Sequence, residues 1–473
     1  MARLSSNHSA SIFYAYCQIV LPLFVLLLQI FSPLMASGST VEFLPGFKGP
    51  LPFHLETGHV GIGESEEVQV FYYFIKSENN HEDDPILLWL SGGPGCSGLM
   101  GLAFEIGPLA FVNQEYNGSL PSLVLRPQSW TKVSSIIFVD LPIGAGFSYT
   151  NEKEIVEQSD WTLIHHAHQF LRKWLINHPE YLSHKVYLSG DSYSGIPIPA
   201  LFQEISYANE NGVQPRINIQ GYILGNPVTT KHEINYAIPF AHGMGLISDE
   251  LYESLQQNCG GEYRNIDPKN LSCLRDFQSF QELIAEVDQY QILEPAFCGY
   301  DLKMVPQRSI LKRSLAEKVE ATNTASRCRR HGYLQAQHWA NNGCVRKALH
   351  VKEGTGRHWT RCNHNMPFKF EINDSFHFHV NLSAKGYRSL IFSGDHDMAC
   401  SFLSTQAWIR SLNYSIVDDW RPWHVNGQVA GYTRTYSNRM TFATVKGAGH
   451  TAPEFKPDEC LAMFERWISN ENL

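Results

Sequence analysis

The sequence predicts an α/β protein built on a mostly parallel central sheet flanked by helices. Short runs of apolar, β-prone residues alternate with stretches of helical periodicity, the pattern of strands joined by crossover helices. Most of these runs are almost continuously apolar, as is typical of strands buried on both faces. One run, Lys185–Ser189, leads directly into a serine between glycines, which favours a sharp turn from strand to helix.

Seven runs are predicted to be strands: Val68–Ile75, Ile86–Leu90, Ser135–Val139, Val186–Leu188, Ile217–Leu224, Leu390–Phe392 and Met440–Val445. A helix is predicted to begin at Ser159-Asp160 and to continue towards Pro179. Its apolar stripe consists of residues at helical spacing, namely Trp161, Ile164, His168, Leu171 and Leu175.

The regular alternation breaks at about residues 231–349. This stretch is polar and holds five cysteines, so we predict that it is a cap inserted over the sheet. Its centre, Lys303–Arg330, carries eight Lys or Arg residues and has the composition of a loop. Two readings of this loop stay open, a solvated connection and a site of proteolytic processing.

Composition bounds the class of protein. With 473 residues the chain is long enough for one large α/β domain with insertions. The 43% of hydrophobic and 12% of aromatic residues indicate a packed globular protein. A formal net charge of -9 argues against nucleic acid as the main partner.

Residues 1–38 have the layout of a signal peptide. Arg3 precedes the apolar run Ile19–Phe31, and the small residues Ala36–Gly38 follow it. The run is short for a membrane span, and an uncleaved anchor is the alternative. We therefore expect a mature domain of residues 39–473 that enters the secretory pathway and has no stable membrane association.

Cysteines and glycosylation sequons fit that expectation. Without Cys17, nine cysteines remain: Cys96, Cys259, Cys273, Cys298, Cys328, Cys344, Cys362, Cys400 and Cys460. An oxidising compartment favours pairing most of them, and the odd number leaves at least one thiol outside an intrachain pair. Five Asn-X-Ser sequons predict a glycoprotein: Asn117, Asn270, Asn373, Asn381 and Asn413. No Cys-X-X-Cys pair is present, and we expect no metal and no organic cofactor.

Three residues in the order Ser, Asp, His are candidates for nucleophilic catalysis. Ser192 follows the strand candidate at Val186 and needs a base to accept its proton. His450 follows a late strand and the small residues of Gly447-Ala448-Gly449, which leave room for a substrate. Asp395 and Asp397 both follow a strand candidate, and strand geometry does not decide which of them orients the imidazole.

A tetrahedral oxyanion needs two preorganised backbone donors. The residue after the nucleophile, Tyr193, is the first candidate. The second is Gly93, in the glycine-rich loop that follows the strand candidate Ile86–Leu90.

Together these residues resemble the serine carboxypeptidase family of α/β-hydrolases, and in particular its plant acyltransferase branch. The resemblance runs from about Val41 to Trp467 and is carried by five motifs, Trp89–Gly98, Gly146–Tyr149, Gly190–Gly195, Ser393–Asp397 and Gly449–Glu454. It implies a triad of Ser192, Asp397 and His450 with an oxyanion hole of Gly93 and Tyr193. It also implies three disulfides, Cys96–Cys362, Cys259–Cys273 and Cys298–Cys328, and leaves Cys344, Cys400 and Cys460 without a role.

The resemblance places Ser91, Gly92, Asp191 and Glu105 in the substrate-binding region. Peptidases of this family usually have Asn at the position of Ser91 and Glu at that of Asp191, and these groups grip a peptide's terminal carboxylate together with the acid at Glu105. The acyltransferase branch shares the Ser and Asp of this chain. We therefore expect transfer of an acyl group from a 1-O-acyl-glucose ester to an acceptor hydroxyl or amine, in the vacuole or outside the cell. The alternatives are a serine carboxypeptidase active at acidic pH and a secreted binding protein without catalysis.

Overall fold

The computed structural model describes residues 38–114, 116–151, 157–296, 329–355 and 358–473. The predicted signal peptide lies outside the described residues except for Gly38. Cys298, Cys328 and nearly all of the basic centre of the predicted cap also lie outside them. The predicted third disulfide and the processing hypothesis therefore stay predictions. Among the described residues, no helix is both long and apolar enough to cross a membrane.

Sixteen strands are found in the described ranges. They are β1 (Ser39–Thr40), β2 (Leu55–Ile62), β3 (Val68–Ile75), β4 (Ile86–Leu90), β5 (Leu109–Phe111), β6 (Leu123–Leu125), β7 (Ser135–Val139), β8 (Tyr149–Thr150), β9 (Gln158–Ser159), β10 (Val186–Asp191), β11 (Ile219–Gly225), β12 (Phe368–Lys369), β13 (Arg388–Gly394), β14 (Ile416–Val425), β15 (Gln428–Tyr436) and β16 (Met440–Val445).

Twelve of these strands form the central sheet, in the order β1-β2-β3-β7-β4-β10-β11-β13-β16-β15-β14 with β8 paired to β3. The six inner strands from β7 to β16 are parallel to one another. The strands on both sides of them pair antiparallel. The α/β fold class is confirmed, and the parallel arrangement holds for the inner strands while the outer ones make the sheet mixed.

All seven predicted strands are present, and four have the predicted bounds. The sequence analysis missed β2 on one side and the hairpin of β14 and β15 on the other. These strands carry exposed or partly exposed positions along their length, so they lack the continuous apolar run on which the prediction relied.

The helices in the described ranges are α1 (Asp160–Asn177), α2 (Pro197–Glu210), α3 (Ala237–Gly243), α4 (Asp249–Cys259), α5 (Leu271–Ile284), α6 (Arg330–Ala340), α7 (Gly343–Ala348), α8 (Phe376–Ala384), α9 (Phe402–Ser411), α10 (Ala452–Phe455) and α11 (Pro457–Ile468). Helices α3 to α7 all lie in the segment predicted to be the cap, between β11 and β13.

The predicted helix before Pro179 is α1. The Ser159 hydroxyl accepts a hydrogen bond from the Thr162 backbone N–H at 3.2 Å, as an N-cap does. The predicted stripe is correct for its three aliphatic members, which are buried. It is wrong for Trp161, which is 40% exposed. In the first turn its ring lies near the rings of His165 and Phe378 and not against the sheet.

Alternating residues of the inner strands feed two hydrophobic cores on opposite faces of the sheet. In β4, Leu87 and Trp89 belong to one core, whereas Ile86 and Leu88 belong to the other. Helices α1 and α2 cover the second core, and α11 packs on the first. A third cluster joins α3, α4 and α5 to Met398. Helices α3 to α5 therefore share an apolar core of their own that reaches the loop after β13, whereas α6 and α7 contribute Trp339 and Val345 to the first core.

Two of the predicted disulfides are present, Cys96–Cys362 and Cys259–Cys273. Disulfides of this kind are typical of proteins that fold in the secretory pathway. Cys344 is exposed, whereas Cys400 and Cys460 are buried thiols. Four of the predicted glycosylation asparagines are exposed, namely Asn117, Asn373, Asn381 and Asn413. Asn270 is half-buried because its side chain caps α5.

Candidate active site

The carboxyl ends of five neighbouring parallel strands bring the predicted site residues together. Gly190 at the end of β10 pairs with Leu90 at the end of β4, so Ser192 and the glycine-rich loop begin side by side. On the other side of β10, the ends of β11, β13 and β16 lie next to one another. The segments that carry Asp397 and His450 leave the sheet at this same edge, where α/β proteins place their ligand sites.

Ser192 stands on a sharp turn between a strand and a helix. Strand β10 ends at Asp191, a 3₁₀ turn spans Ser192–Gly195, and α2 follows. Ser192 has φ 55°, a left-handed conformation that is strained for a residue with a side chain. The Val228 backbone N–H donates to the Ser192 carbonyl oxygen at 2.8 Å and helps to hold it there. This is the geometry that lifts a serine hydroxyl clear of the sheet.

Ser194 stands where the usual motif has its second glycine, and the structure accommodates it. Its hydroxyl donates to the Leu90 carbonyl oxygen at 2.8 Å, so the buried polar group is satisfied. Gly195 instead makes the close approach, because a Cβ there would lie 2.4 Å from the Val228 carbonyl oxygen. The strand-to-helix turn is thus preserved with its glycine one position later.

His450 and Asp397 form a hydrogen-bonded pair. The Nδ1 atom of His450 lies 2.7 Å from Oδ2 of Asp397, which is fully buried. The backbone N–H of His450 donates to the Tyr290 carbonyl oxygen at 2.7 Å. Asp395 is partly exposed, and its Oδ1 lies 2.6 Å from Nδ1 of His396. Of the two aspartates that strand geometry left open, only Asp397 has the position of an orienting acid.

The glycine-rich loop lies against the nucleophile turn. A Cβ on Gly92 would lie 2.6 Å from Cβ of Ser192 and 3.0 Å from the backbone nitrogen of Tyr193. Gly93 has φ 117°, which L-residues rarely adopt. The loop that carries Gly93 therefore passes beside the Ser192–Tyr193 peptide, as two donors that share one oxyanion must.

Cys96–Cys362 fastens the glycine-rich loop to the segment before β12. Two backbone hydrogen bonds flank it, from Asn363 to Gly95 at 2.9 Å and from Ser97 to Arg361 at 3.0 Å. The buried Asp140 carboxylate accepts from the Ser97 hydroxyl and from the Gly98 N–H. These contacts therefore anchor the C-terminal end of the glycine-rich loop.

The predicted substrate-binding residues form a group of buried acceptors. Asp191 accepts a hydrogen bond from the Gly92 backbone N–H at 3.0 Å, which ties the nucleophile strand to the glycine-rich loop. The Ser91 hydroxyl and Oε2 of Glu105 are buried and have no hydrogen-bond partner among the described residues. Such groups are costly unless a ligand or water satisfies them.

Glu105 ends a π-helical turn, Gly101–Glu105, a rare local structure that occurs often at functional sites. The Arg126 guanidinium supports this turn by donating to its backbone carbonyl oxygens. Burial, followed by the negative charges of Asp191 and Glu454, holds the pKa of Glu105 well above its usual range. Burial also raises the pKa of Asp191.

A cavity of about 510 Å³ opens above these groups. Seven predicted site residues line it: Ser91, Gly92, Gly93, Glu105, Asp191, Ser192 and His450. The Tyr193 and Asp397 side chains lie outside its lining. The wall also contains Arg361, whose guanidinium lies 4.0 Å from the ring centroid of Tyr333. The cavity is thus polar at its floor and partly aromatic at its wall.

Asp397, Cys400 and His450 place three potential metal-ligand atoms within 4.8 Å of one another. The Asp397 carboxylate already accepts from the side chains of His450 and Asn226 and from the backbone N–H groups of Ala399 and Cys400. Burial also raises the pKa of the Cys400 thiol well above its usual range, so the thiolate that metals require is disfavoured. The group fits a hydrogen-bonded dyad better than a metal site.

The sequence analysis missed Asn226, which supports the orienting acid. It donates from Nδ2 to Oδ2 of Asp397 at 2.8 Å and accepts the Gly394 N–H at 3.1 Å. Asn226 follows β11 directly, at the edge of the sheet that carries the other site residues. A polar residue immediately after a buried parallel strand is the signal that would have found it.

The pH profile should respond in opposite directions to two charge changes in the cavity. Burial alone would lower the pKa of His450, but the carboxylates of Asp397 and Asp191 raise it above the ordinary value of 6.5, and Arg361 opposes them. Only neutral His450 accepts a proton, so activity should rise with pH through this elevated pKa. Asp191→Asn removes a negative charge that favours the imidazolium, and should move the rise to lower pH. Arg361→Gln should move it to higher pH.

The measurement is kcat/KM against pH for the parent and both variants, since this ratio reports the ionisation of the free enzyme. If Asp191→Asn also disturbs the glycine-rich loop, the maximum of kcat/KM would fall, but the pH at the midpoint of its rise would not move for that reason. Midpoints that shift in the same direction in both variants would contradict the electrostatic assignment.

Comparisons with known proteins bear on the family and the fold of this chain. The sequence profile of the serine carboxypeptidase family matches residues 45–470. Serine carboxypeptidase-like 19 of Arabidopsis thaliana is 51% identical over 459 residues, which cover 95% of this chain and 98% of that protein. Serine carboxypeptidase-like 12 of the same plant is 52% identical over 454 residues, covering 95% and 99%.

Among solved structures, a prohormone-processing carboxypeptidase from Saccharomyces cerevisiae matches with a TM-score of 0.70. The match covers 92% of this chain and 95% of the yeast chain at 20% sequence identity, so it bears on the fold alone. The mixed sheet, the nucleophile turn and this likeness are those of an α/β-hydrolase fold. With the profile match and relatives that are half identical along nearly their whole length, the chain belongs to the serine carboxypeptidase family.

Proposed function

We propose that this protein is an acyltransferase that moves an acyl group from a 1-O-acyl-glucose ester to an acceptor hydroxyl or amine. The observation that carries the proposal is the floor of the cavity. Asp191 and Glu105 lie there with the Ser91 hydroxyl, which has no hydrogen-bond partner within the described ranges, and Glu454 is close enough to raise the pKa of Glu105. A carboxylate substrate would face three acids there, opposed by the positive charges of Arg329 and Arg361 in the cavity wall. The hydroxyl groups of glucose can donate hydrogen bonds to the carboxyl oxygens and need no compensating charge.

The Asp191 carboxylate, which already accepts a hydrogen bond within the protein, also supports the acyltransferase proposal. Its Oδ1 already accepts the Gly92 N–H, and its side chain is one methylene shorter than glutamate. Ser91 offers a short hydroxyl with one donor in place of an amide with two. Both features weaken a grip on a peptide's terminal carboxylate and leave room for a neutral sugar.

The proposed reaction has two steps that use the same residues. In the first, Ser192 Oγ attacks the ester carbonyl carbon, Nε2 of His450 takes the serine proton, and the Gly93 and Tyr193 N–H groups stabilise the oxyanion. The ester C–O bond breaks, and His450 returns the proton to the glucose oxygen that leaves. In the second, His450 takes a proton from the acceptor as the acceptor attacks the acyl carbon. The bond between that carbon and Ser192 Oγ then breaks, and His450 returns the proton to Ser192 Oγ.

A serine carboxypeptidase active at acidic pH is the second candidate. Two observations favour it: Oε2 of Glu105 has no hydrogen-bond partner in the described part of the chain, and the pKa of this acid is raised. A protonated Glu105 donates a hydrogen bond to a carboxylate instead of repelling it. This candidate requires Glu105 and Asp191 to suffice for recognition of the peptide terminus.

The family and the disulfides support passage through the secretory pathway, and we place the mature protein in the vacuole, with the extracellular space as the alternative. The compartment is tested by isolating vacuoles and extracellular fluid separately and detecting the mature protein in each fraction with an antibody against residues after 39.

A mass-spectrometric product assay separates the two activities. The glycosylated protein receives a panel of hydroxycinnamoyl and galloyl glucose esters with mixed alcohols and amines, and separately a blocked dipeptide. Ser192→Ala is the catalytic control. Ser189→Ala is its matched partner, because it removes a buried hydroxyl three residues earlier that, among the described residues, bonds only to the Leu88 carbonyl oxygen.

New acyl conjugates that form with Ser189→Ala but not with Ser192→Ala would support the transferase. Release of amino acids without conjugates would reject it in favour of the peptidase. A folded protein that does neither, and that a serine-directed fluorophosphonate fails to label, would favour the reading as a binding protein.

A further inference from the structure

The side chain of Tyr193 has a partner outside the cavity. Its backbone nitrogen lies beside Gly92, 3.0 Å from where a Cβ of that glycine would stand. Its ring lies edge-on to the rings of Phe368 and Phe370, with centroids 6.0 and 5.7 Å away. Its hydroxyl donates a hydrogen bond to Oδ1 of Asp160. The residue that supplies a predicted oxyanion donor is thus anchored at the far end of its side chain.

Asp160 is fully buried at the first position of α1. Its second oxygen, Oδ2, accepts the backbone N–H groups of Glu371 and Ile372 at 2.7 and 2.8 Å. The described residues show no ion pair between Asp160 and a basic side chain. A negative charge at a helix N-terminus is favoured, and the three donors satisfy both carboxylate oxygens.

Burial, and then the hydrogen bond and charge of Asp160, raise the pKa of Tyr193. The phenol therefore remains a neutral donor throughout the range in which the protein works. The Tyr193–Asp160 contact joins the nucleophile turn to α1 and to the segment after β12, two elements that do not line the cavity.

We propose that Asp160 is a positioning residue for the oxyanion hole, which acts by holding the Tyr193 side chain and thereby the direction of the Tyr193 backbone N–H. Ser192, the preceding residue, has a strained φ, and such a conformation persists only when its surroundings over-determine it. A tyrosine anchored at its hydroxyl restrains rotation of the Ser192–Tyr193 peptide through contacts outside the cavity lining. Asp160 touches no reacting atom.

This inference rests on the serine-nucleophile part of the proposed function and not on the choice between transferase and peptidase. It is therefore tested with a 4-nitrophenyl ester, which reports acylation and deacylation for either activity. Tyr193→Phe removes the hydroxyl and keeps the ring. Asp160→Asn keeps the shape but replaces one acceptor oxygen with a donor. Tyr222→Phe is the matched control, because its buried hydroxyl lies 2.8 Å from Nδ1 of His379, away from the cavity.

We expect Tyr193→Phe and Asp160→Asn each to lower kcat on the order of tenfold with little change in KM, less than the loss of about 10²–10³-fold when an oxyanion donor itself is removed. The double variant should lose no more than the larger single loss, since the two residues act through one contact. The affinity for phenylboronic acid, which forms a tetrahedral adduct with a serine, should fall in parallel with kcat/KM. Tyr222→Phe should keep the parent kcat even if its melting temperature falls as far as those of Tyr193→Phe and Asp160→Asn.

If the contact had a purely structural role, the losses of kcat in all three variants would follow their losses of melting temperature. The affinity for phenylboronic acid would then fall no further than the loss of stability explains. That result, or wild-type kcat in Asp160→Asn, would overturn the proposal. A parent protein that neither hydrolyses the ester nor binds the boronate would overturn this inference and the serine chemistry together.

Discussion

Replacing Asp397 by asparagine is expected to lower kcat about 10⁴-fold, because the imidazole of His450 is then held in the wrong tautomer. In the protein as it stands, Oδ2 of Asp397 lies 2.7 Å from Nδ1 of His450, which makes Nδ1 the protonated nitrogen and leaves Nε2 free to accept the serine proton. The measurement is kcat for the 4-nitrophenyl ester, or for a glucose ester once one is identified.

The hydrogen bonds around Asp397 decide how a substituted asparagine would sit. Oδ1 accepts two backbone N–H groups, from Ala399 at 2.9 Å and Cys400 at 3.2 Å. The single oxygen of the new amide is better satisfied there, which turns its NH₂ group towards His450 and Asn226. Nδ1 of His450 must then accept, its proton moves to Nε2, and the base is blocked.

Asp395→Asn is the matched control, because both aspartates follow β13 and both lie beside a histidine. Asp395 is partly exposed and bonds to His396 and to the Gly447 N–H, so its loss should cost less than about tenfold, as for one hydrogen bond near the site. If Asp395→Asn were the more damaging change, the orienting acid would have been assigned to the wrong residue.

The inner strands were predictable because burial on both faces leaves a short, continuous apolar run. Such a run between turn residues is typical of a buried strand. The missed hairpin shows a signal that went unused. Strands β14 and β15 are joined by Asn426-Gly427, both with positive φ, and this dipeptide is the strongest short-range predictor of a tight hairpin. The polar, exposed character of β14 concealed it.

The candidate site residues that carry their own motif could be predicted from the sequence, whereas those that act through long-range contact could not. Ser192 and His450 have glycines close to them in the sequence, and these glycines predict the turns on which the two residues stand. Asp160 is separated by 33 positions from Tyr193, and nothing in the local sequence indicates their hydrogen bond. The choice between Asp395 and Asp397 likewise needed the fold, because it depends on which carboxylate faces a loop 53 positions away.

Gly92→Ala is expected to lower kcat by about 10²–10³-fold, as much as removing an oxyanion donor. The new Cβ would lie 2.6 Å from Cβ of Ser192, 2.9 Å from the Asp191 carbonyl oxygen and 3.0 Å from the Tyr193 nitrogen. None of these atoms moves by a simple side-chain rotation. Either the glycine-rich loop or the nucleophile turn must shift, and both carry groups that have to meet at one carbonyl carbon.

The loop has little freedom to yield, because Cys96–Cys362 and the Asp140 carboxylate fix it on one side and the bond from Gly92 to Asp191 fixes it on the other. Overpacking of this kind also costs stability, so the melting temperature should fall as well, and kcat is measured at a temperature at which the variant is folded. Gly343→Ala is the control: a Cβ there meets no atom within 4 Å, and Gly343 lies at the start of α7, where alanine is favourable. Wild-type kcat in Gly92→Ala would mean that the loop moves freely, and Gly93 would then be a poor candidate for a preorganised donor.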